Sequence, residues 1–194
     1  MPAPPLLAIF VGGKSRRMGE HKGLLTLPGT EEPILEALVR RGRDAGFDPV
    51  LVGEARPYAE LAAGVLRLDD DPRGAGPLAG LHAALRHALT TGRARLVAIA
   101  CDMPYVTAEA LEQVRDHRSQ AIVVAPKRAP DAPWEPMLAR YDALRLADTL
   151  AEAISQGERS FQKLFTTIEV EALPLTAELG RALEDWDSPE DLPR

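Results

Sequence analysis

The feature of this chain that most restricts its fold is the alternation of short, nearly all-apolar runs with helix-patterned segments. The runs "LLAIFV" (6–11), "PVLVG" (49–53), "GVLRL" (64–68), "RLVAIA" (95–100) and "AIVVAP" (121–126) read as strands, with a weaker one, "TIEVEAL", at 167–173. Runs without a polar face are buried on both sides, as in the middle of a mainly parallel sheet. Helical patterns fall between them at 32–46, 77–92, 107–117 and 141–155. In the first, Ile34, Leu35, Leu38 and Val39 share one face; the second opens with Pro77 and stops at Gly92; the third has Thr107 as its N-cap. This is the signature of a layered α/β fold. With 194 residues and no linker, low-complexity tract or repeat, one domain spanning 1–194 is expected.

Composition narrows the function by exclusion. A net charge of −6 argues against a general nucleic-acid surface, so an anionic ligand has to be held by a local cluster of donors. No stretch approaches the roughly 20 apolar residues of a membrane helix. The leading "MPAPPLLAIFVGG" has no basic region and reads as a strand rather than a secretory signal. The single cysteine permits no internal disulfide, and a reducing cytoplasm is the expected setting.

In open α/β sheets, ligands bind where loops leave the carboxyl ends of the strands, and three such loops are chemically unusual. The first, in "FVGGKSRRMGEHK" (10–22), is neither a P-loop, which would need glycine where Ala8 stands, nor a G-x-G-x-x-G turn. Gly12 and Gly13 allow close backbone approach to an anion or base, and Arg16, Arg17 and Lys22 can meet phosphate oxygens. An exposed basic turn would have the same composition. The second, "RLDDDPRGAGPLAG", carries Asp69, Asp70 and Asp71 ahead of a helix start; the aspartates serve either a ligand or the turn itself. The third, "AIACDMPYV", sets Asp102 just past a buried strand, where a carboxylate can hold a hard divalent cation. These loops should converge on one crevice.

Other candidates are set aside. Cys101 reads as a small buried hydrophobe without a paired base. His21, His82, His87 and His117 have no zinc-ligand spacing. "WEPMLARY" (134–141) reads as an edge strand or hairpin packed on the sheet, or as a ligand contact, and Tyr141 and Trp186 as packing residues.

Taken together, "GGKSRRMG" followed by Lys22, "GPLAG" (76–80), "CDMP" (101–104), "EPMLARY" (135–141), "RSFQKLF" (159–165) and "DWDSPEDL" (185–192) resemble the MobA-type molybdenum cofactor guanylyltransferases, over nearly the whole chain and in order. The resemblance implies a three-layer, Rossmann-like nucleotidyltransferase fold with a mostly parallel central sheet. It also implies transfer of GMP from GTP to molybdopterin with release of pyrophosphate. Carried over residue by residue, Phe10, Val11, Gly12 and Gly13 would surround guanine and ribose. Lys22 would meet the triphosphate, Gly53 would sit beside the base, and Asp70 would help hold the nucleotide. Asp102 would bind Mg²⁺, Lys22 and Arg17 would stabilise the leaving pyrophosphate, and Arg159, Ser160 and Lys163 would anchor the acceptor.

Four positions depart from the family pattern. Val11 replaces the usual alanine, a change expected to tighten the base pocket. His21 replaces an aspartate. Asp185 and Asp187 stand where guanylyltransferases carry asparagines; aspartates there are more typical of cytidylyltransferases and sugar nucleotidyltransferases, and Asp187 could support a second metal contact. "VGG" in the first loop and the "PLAG", "EPMLARY" and "RSFQKLF" segments favour the guanylyl branch. A CTP-dependent cytidylyltransferase, a sugar-phosphate nucleotidyltransferase and a non-catalytic nucleotide-binding module are the alternatives. Transient contacts with other proteins of cofactor biosynthesis, or with acceptor proteins, are expected.

Overall fold

The computed structural model describes residues 3–11 and 21–186. Gly12, Gly13, Arg16, Arg17 and Asp187 therefore lie outside the described residues.

Among the described residues seven strands form one sheet: β1 (Leu6–Phe10), β2 (Asp48–Val52), β3 (Leu66–Leu68), β4 (Arg95–Ala100), β5 (Val123–Pro126), β6 (Ala139–Asp142) and β7 (Val170–Leu173), in the order β3-β2-β1-β4-β6-β5-β7. β3, β2, β1 and β4 are mutually parallel, β6 runs antiparallel between β4 and β5, and β7 is parallel to β5. The three-layer, mostly parallel architecture matches the expectation.

β1 shows how the sequence builds the layers. Leu6, Leu7, Ala8 and Ile9 are fully buried, and successive side chains point to opposite faces. Leu7 and Ile9 enter one core with Leu35 and Leu38 of α1 (Ile34–Asp44) and Leu111 of α3 (Ala108–Asp116). Leu6 and Ala8 enter the other, with Leu81 and Leu85 of α2 (Pro77–Thr90) and Leu146 and Leu150 of α4 (Ala143–Ser155). The chain is thus apolar at every position of β1 because both faces are covered.

The expected helices stand within about two residues of their sequence bounds. The Thr107 hydroxyl accepts from the Ala110 amide at 3.1 Å, opening α3. Two short helices have no counterpart in the sequence reading: α5 (Phe161–Phe165) and α6 (Ala177–Ala182). Another difference concerns 134–142. Ala139–Asp142 is neither an edge strand nor the start of the fourth helix; it is an inner strand, and α4 begins only at Ala143. The misleading residue is Arg140. It is 4% exposed, and its guanidinium donates to the carbonyls of Arg115, His117 and Ser119, which makes burial of the charge tolerable. Among the described residues, no helix is long and apolar enough to cross a membrane.

Strand order and register place the site. From β1 the chain moves to β2 and β3 on one side, and then to β4 on the other side of β1. Phe10 is level with both Val52 and Ala100, so β1, β2 and β4 end at one height. The switch of direction between β1 and β4 opens a crevice at those carboxyl ends.

Candidate active site

Lys22 follows β1 and Asp102 follows β4, and they meet across that crevice. The Lys22 Nζ lies 2.8 Å from Asp102 Oδ2, with side chains 14% and 20% exposed. Asp102 is held from both sides. Its predecessor Cys101 donates its amide to the Phe10 carbonyl at 3.0 Å, continuing the β1–β4 ladder one step beyond the strands. Its own carbonyl accepts the Trp186 amide at 3.0 Å, which ties the distant chain end to this loop. Lys22 opens a 3₁₀ turn, Lys22–Leu24, in which the Leu25 amide returns to the Lys22 carbonyl at 3.1 Å.

The second cluster forms on Gly80, in the first turn of α2. A Cβ there would stand 2.9 Å from Phe10 Cε1, 2.9 Å from Val52 Cγ1 and 3.1 Å from Asp70 Oδ1. Glycine at 80 is what lets these three side chains converge. Burial, and then the neighbouring charge of Asp69, push the Asp70 carboxyl above the usual carboxylate range. The other two aspartates of the triplet do local work. Asp69 pairs with Arg73 at 2.8 Å, and the Asp71 carbonyl meets the His82 ring Nδ1 at 3.0 Å. Gly53 has φ of 101°, which favours glycine, and donates to the Leu68 carbonyl at 2.9 Å. Val11 donates its backbone amide to the Val52 carbonyl at 2.9 Å, and its side chain packs in the same core as Leu35 and Leu38 of α1.

Of the residues expected at the acceptor, Arg159 lays its aliphatic stem against Gly76 and donates to the carbonyls of Ile154 and Glu158. Ser160 caps α5 by accepting from the Lys163 amide, and Lys163 borders a hollow between α4 and α5. A wider hollow, of 690 Å³, lies at the far end of β4 beside Arg95 and Arg118. The convergent side chains, not hollow size, mark the site.

Two further residues complete the picture. Burial, followed by the Asp102 charge, pushes the Cys101 thiol up to about 12, so it is protonated at neutral pH and is no nucleophile. Tyr58 is buried in the same core, and burial raises the pKa of its hydroxyl too. Tyr58 has no mark in the sequence and Gly80 only that of closing "GPLAG"; what each does is set by its neighbours in space. Among the described residues, no three His, Cys, Asp or Glu side chains cluster as metal ligands. A carboxylate at a strand end, as Asp102 is, nevertheless suits Mg²⁺, which keeps several waters and takes its remaining oxygens from substrate phosphates.

The family profile described as "MobA-like NTP transferase domain" matches residues 7–171. A protein named "Probable molybdenum cofactor guanylyltransferase" from Opitutus terrae is 33% identical over 96% of this chain and 92% of its own. One named "Molybdenum cofactor guanylyltransferase" from Pseudomonas fluorescens is 30% identical over 84% of this chain and 80% of its own. The crystal structure of molybdopterin-guanine dinucleotide biosynthesis protein A from Archaeoglobus fulgidus superposes with a TM-score of 0.76 at 28% identity, over 96% of this chain and 94% of that one. Profile, relatives and fold agree: the chain belongs to the MobA-like NTP transferase family.

Proposed function

We propose that this chain, as a single domain over 1–194, is a molybdenum cofactor guanylyltransferase that transfers GMP from GTP to molybdopterin. The observation that carries the reading is the Lys22–Asp102 pair at the switch between β1 and β4, set beside the Phe10–Asp70–Gly80 convergence. The names borne by the relatives supply the substrates.

The terminal phosphate oxygen of molybdopterin forms a bond to the α-phosphorus of GTP. The bond from that phosphorus to the β-phosphate bridging oxygen breaks, and pyrophosphate leaves. No protein nucleophile is needed, and the protonated Cys101 offers none. Such transfers are accelerated mainly by positioning and charge stabilisation. Asp102 is the residue to hold Mg²⁺, which when bound neutralises the repulsion between the attacking and attacked phosphates. Lys22 binds the triphosphate and offsets the charge that builds on the departing pyrophosphate. Phe10, Val11, Gly53 and Asp70 hold the nucleoside end. Arg17, Gly12 and Gly13 are assigned to the phosphate and base by the sequence of their loop alone. The single buried thiol fits a reducing cytoplasm.

Pyrophosphate release is the test. Release should require GTP, Mg²⁺ and molybdopterin together, and should fail with any one withheld. Thermal unfolding with GTP, CTP, ATP or UTP, each with Mg²⁺, reads the base. At 100 times its dissociation constant, GTP should add about 2.7 kcal/mol of stability. Stabilisation by CTP in place of GTP would reassign the base. Binding of GTP without any turnover would make the chain a binding module.

A further inference from the structure

Lys22 and Asp102 stand 80 positions apart in sequence, on two separate loops, yet their polar atoms are in contact. A lysine on a flexible four-carbon stem does not hold such a position unaided. Its turn is not secured by a cap, since His21 makes no side-chain cap bond to Lys22–Leu24. What the turn does have is Tyr58, the last residue of the 3₁₀ turn Arg56–Tyr58, which is 2% exposed.

The Tyr58 ring touches the chain on both sides of Lys22. A Cβ on Gly23 would stand 2.9 Å from its Cε1 and 3.4 Å from its Cζ, so glycine is the residue that lets the turn rest on the ring. The His21 ring meets it edge-on, with centroids 5.8 Å apart and planes at 71°. Tyr58 and Cys101, the residue that precedes Asp102, are buried in the same core. One buried side chain therefore contacts residues 21 and 23 on either side of the cation, from the core that also holds residue 101.

We propose that Tyr58 is the positioning residue of the Lys22–Asp102 pair: its buried ring seats the turn that carries Lys22 against the core beside the strand end that carries Asp102. Tyr58 acts through these two groups and touches no substrate. The assignment rests on the roles given above to Lys22 and Asp102.

A double-mutant cycle on GTP binding with Mg²⁺, measured by calorimetry, tests it. Tyr58→Leu should weaken GTP about tenfold in the otherwise natural chain and less than about twofold in a Lys22→Ala background, because residues that act through one another are not additive. Equal losses in both backgrounds would make Tyr58 a general structural residue and overturn the proposal. Tyr58→Phe keeps the ring and should restore most of the affinity. If Tyr58→Leu does not fold, Gly23→Ala replaces it in the same cycle, since its methyl would intrude on the ring, and the same two outcomes decide. A readout without nucleotide keeps the two claims apart: acylation of Lys22 by an amine-selective reagent, located by mass spectrometry, should speed up in Tyr58→Leu or Gly23→Ala. Unchanged Lys22 reactivity in these variants overturns the positioning role. Failure of the natural chain to bind any nucleoside triphosphate overturns the proposed function but leaves that measurement intact.

Discussion

On the β3-β2-β1-β4 side of the sheet, the loops leaving the strand ends deliver Asp70, Lys22 and Asp102 to one edge, with Lys22 against Asp102 and Asp70 against Gly80. On the β6-β5-β7 side, family-like motifs bond mainly among themselves. Glu135 pairs with Arg128 at 2.6 Å, and the Tyr141 hydroxyl donates to the Pro136 carbonyl at 2.6 Å. Gln162 grips the Trp134 backbone twice, accepting from its amide at 3.0 Å and donating to its carbonyl at 2.7 Å. In the first half Lys22, Asp70 and Asp102 stand at the carboxyl edge, whereas these motifs of the second half are tied to one another. Motif likeness therefore has two physical origins, and only one of them is chemistry. Substitutions on the two sides should separate activity from stability.

The largest effect is expected at Asp102. Asp102→Asn keeps the size and removes the charge, so it should lose several kcal/mol of transition-state stabilisation, about a thousandfold in pyrophosphate release, with melting little changed. Substantial Mg²⁺-dependent turnover in this variant would remove the metal role from Asp102. Lys22→Ala comes next. The loss of a charge-assisted contact worth about 1.5–3 kcal/mol should appear as weaker GTP binding or slower turnover. Unchanged kinetics would take Lys22 out of the site and blur the contrast between the halves.

The mirror-image substitution belongs to the other side. Arg140→Met leaves the carbonyls of Arg115, His117 and Ser119 without their donor. Unsatisfied buried groups cost about 1–3 kcal/mol, read as a melting point several degrees lower, while GTP affinity of the folded protein should stay the same. A change in affinity at constant stability would show that the second half reaches the site.

How much of this could be read in the sequence depends on whether a signal was local. β1 and β4 were legible because burial on both faces leaves an unbroken apolar run. β6 was not: Arg140 interrupts its pattern, and Asp142 runs straight into α4 as its N-cap, so strand and helix read as one segment. α5 and α6 are set by Ser160 and Thr176 caps over five and six residues, too short for a helical period to register. In the site, Lys22, Asp70 and Asp102 stood out as charges in loops after apolar runs. Gly80 and Tyr58 carry no such mark, because what they do is leave or fill space beside residues distant in the chain.

The smallest expected effect is the one that best sharpens the comparison. Asp70 is a carboxylate whose folded pKa is raised, by burial first and by Asp69 second. A raised carboxyl pKa contributes stability in full below its unfolded value, about 3.9, and loses it as pH rises through the folded value. At neutral pH the ionised group is therefore a cost, and Asp70→Asn should raise the melting point slightly. That gain should shrink as pH falls through the folded pKa of Asp70 and vanish in stronger acid. If Asp70 holds the nucleotide, the same substitution should weaken GTP binding, so stability and affinity move in opposite directions, as expected where function keeps a group that folding alone would not favour. Paired thermal-unfolding and GTP titrations across pH decide it. A variant that is more stable and binds GTP as well as the natural chain would assign Asp70 to the turn, with its neighbours Asp69 and Asp71, and leave Lys22 and Asp102 as the charged groups of the edge.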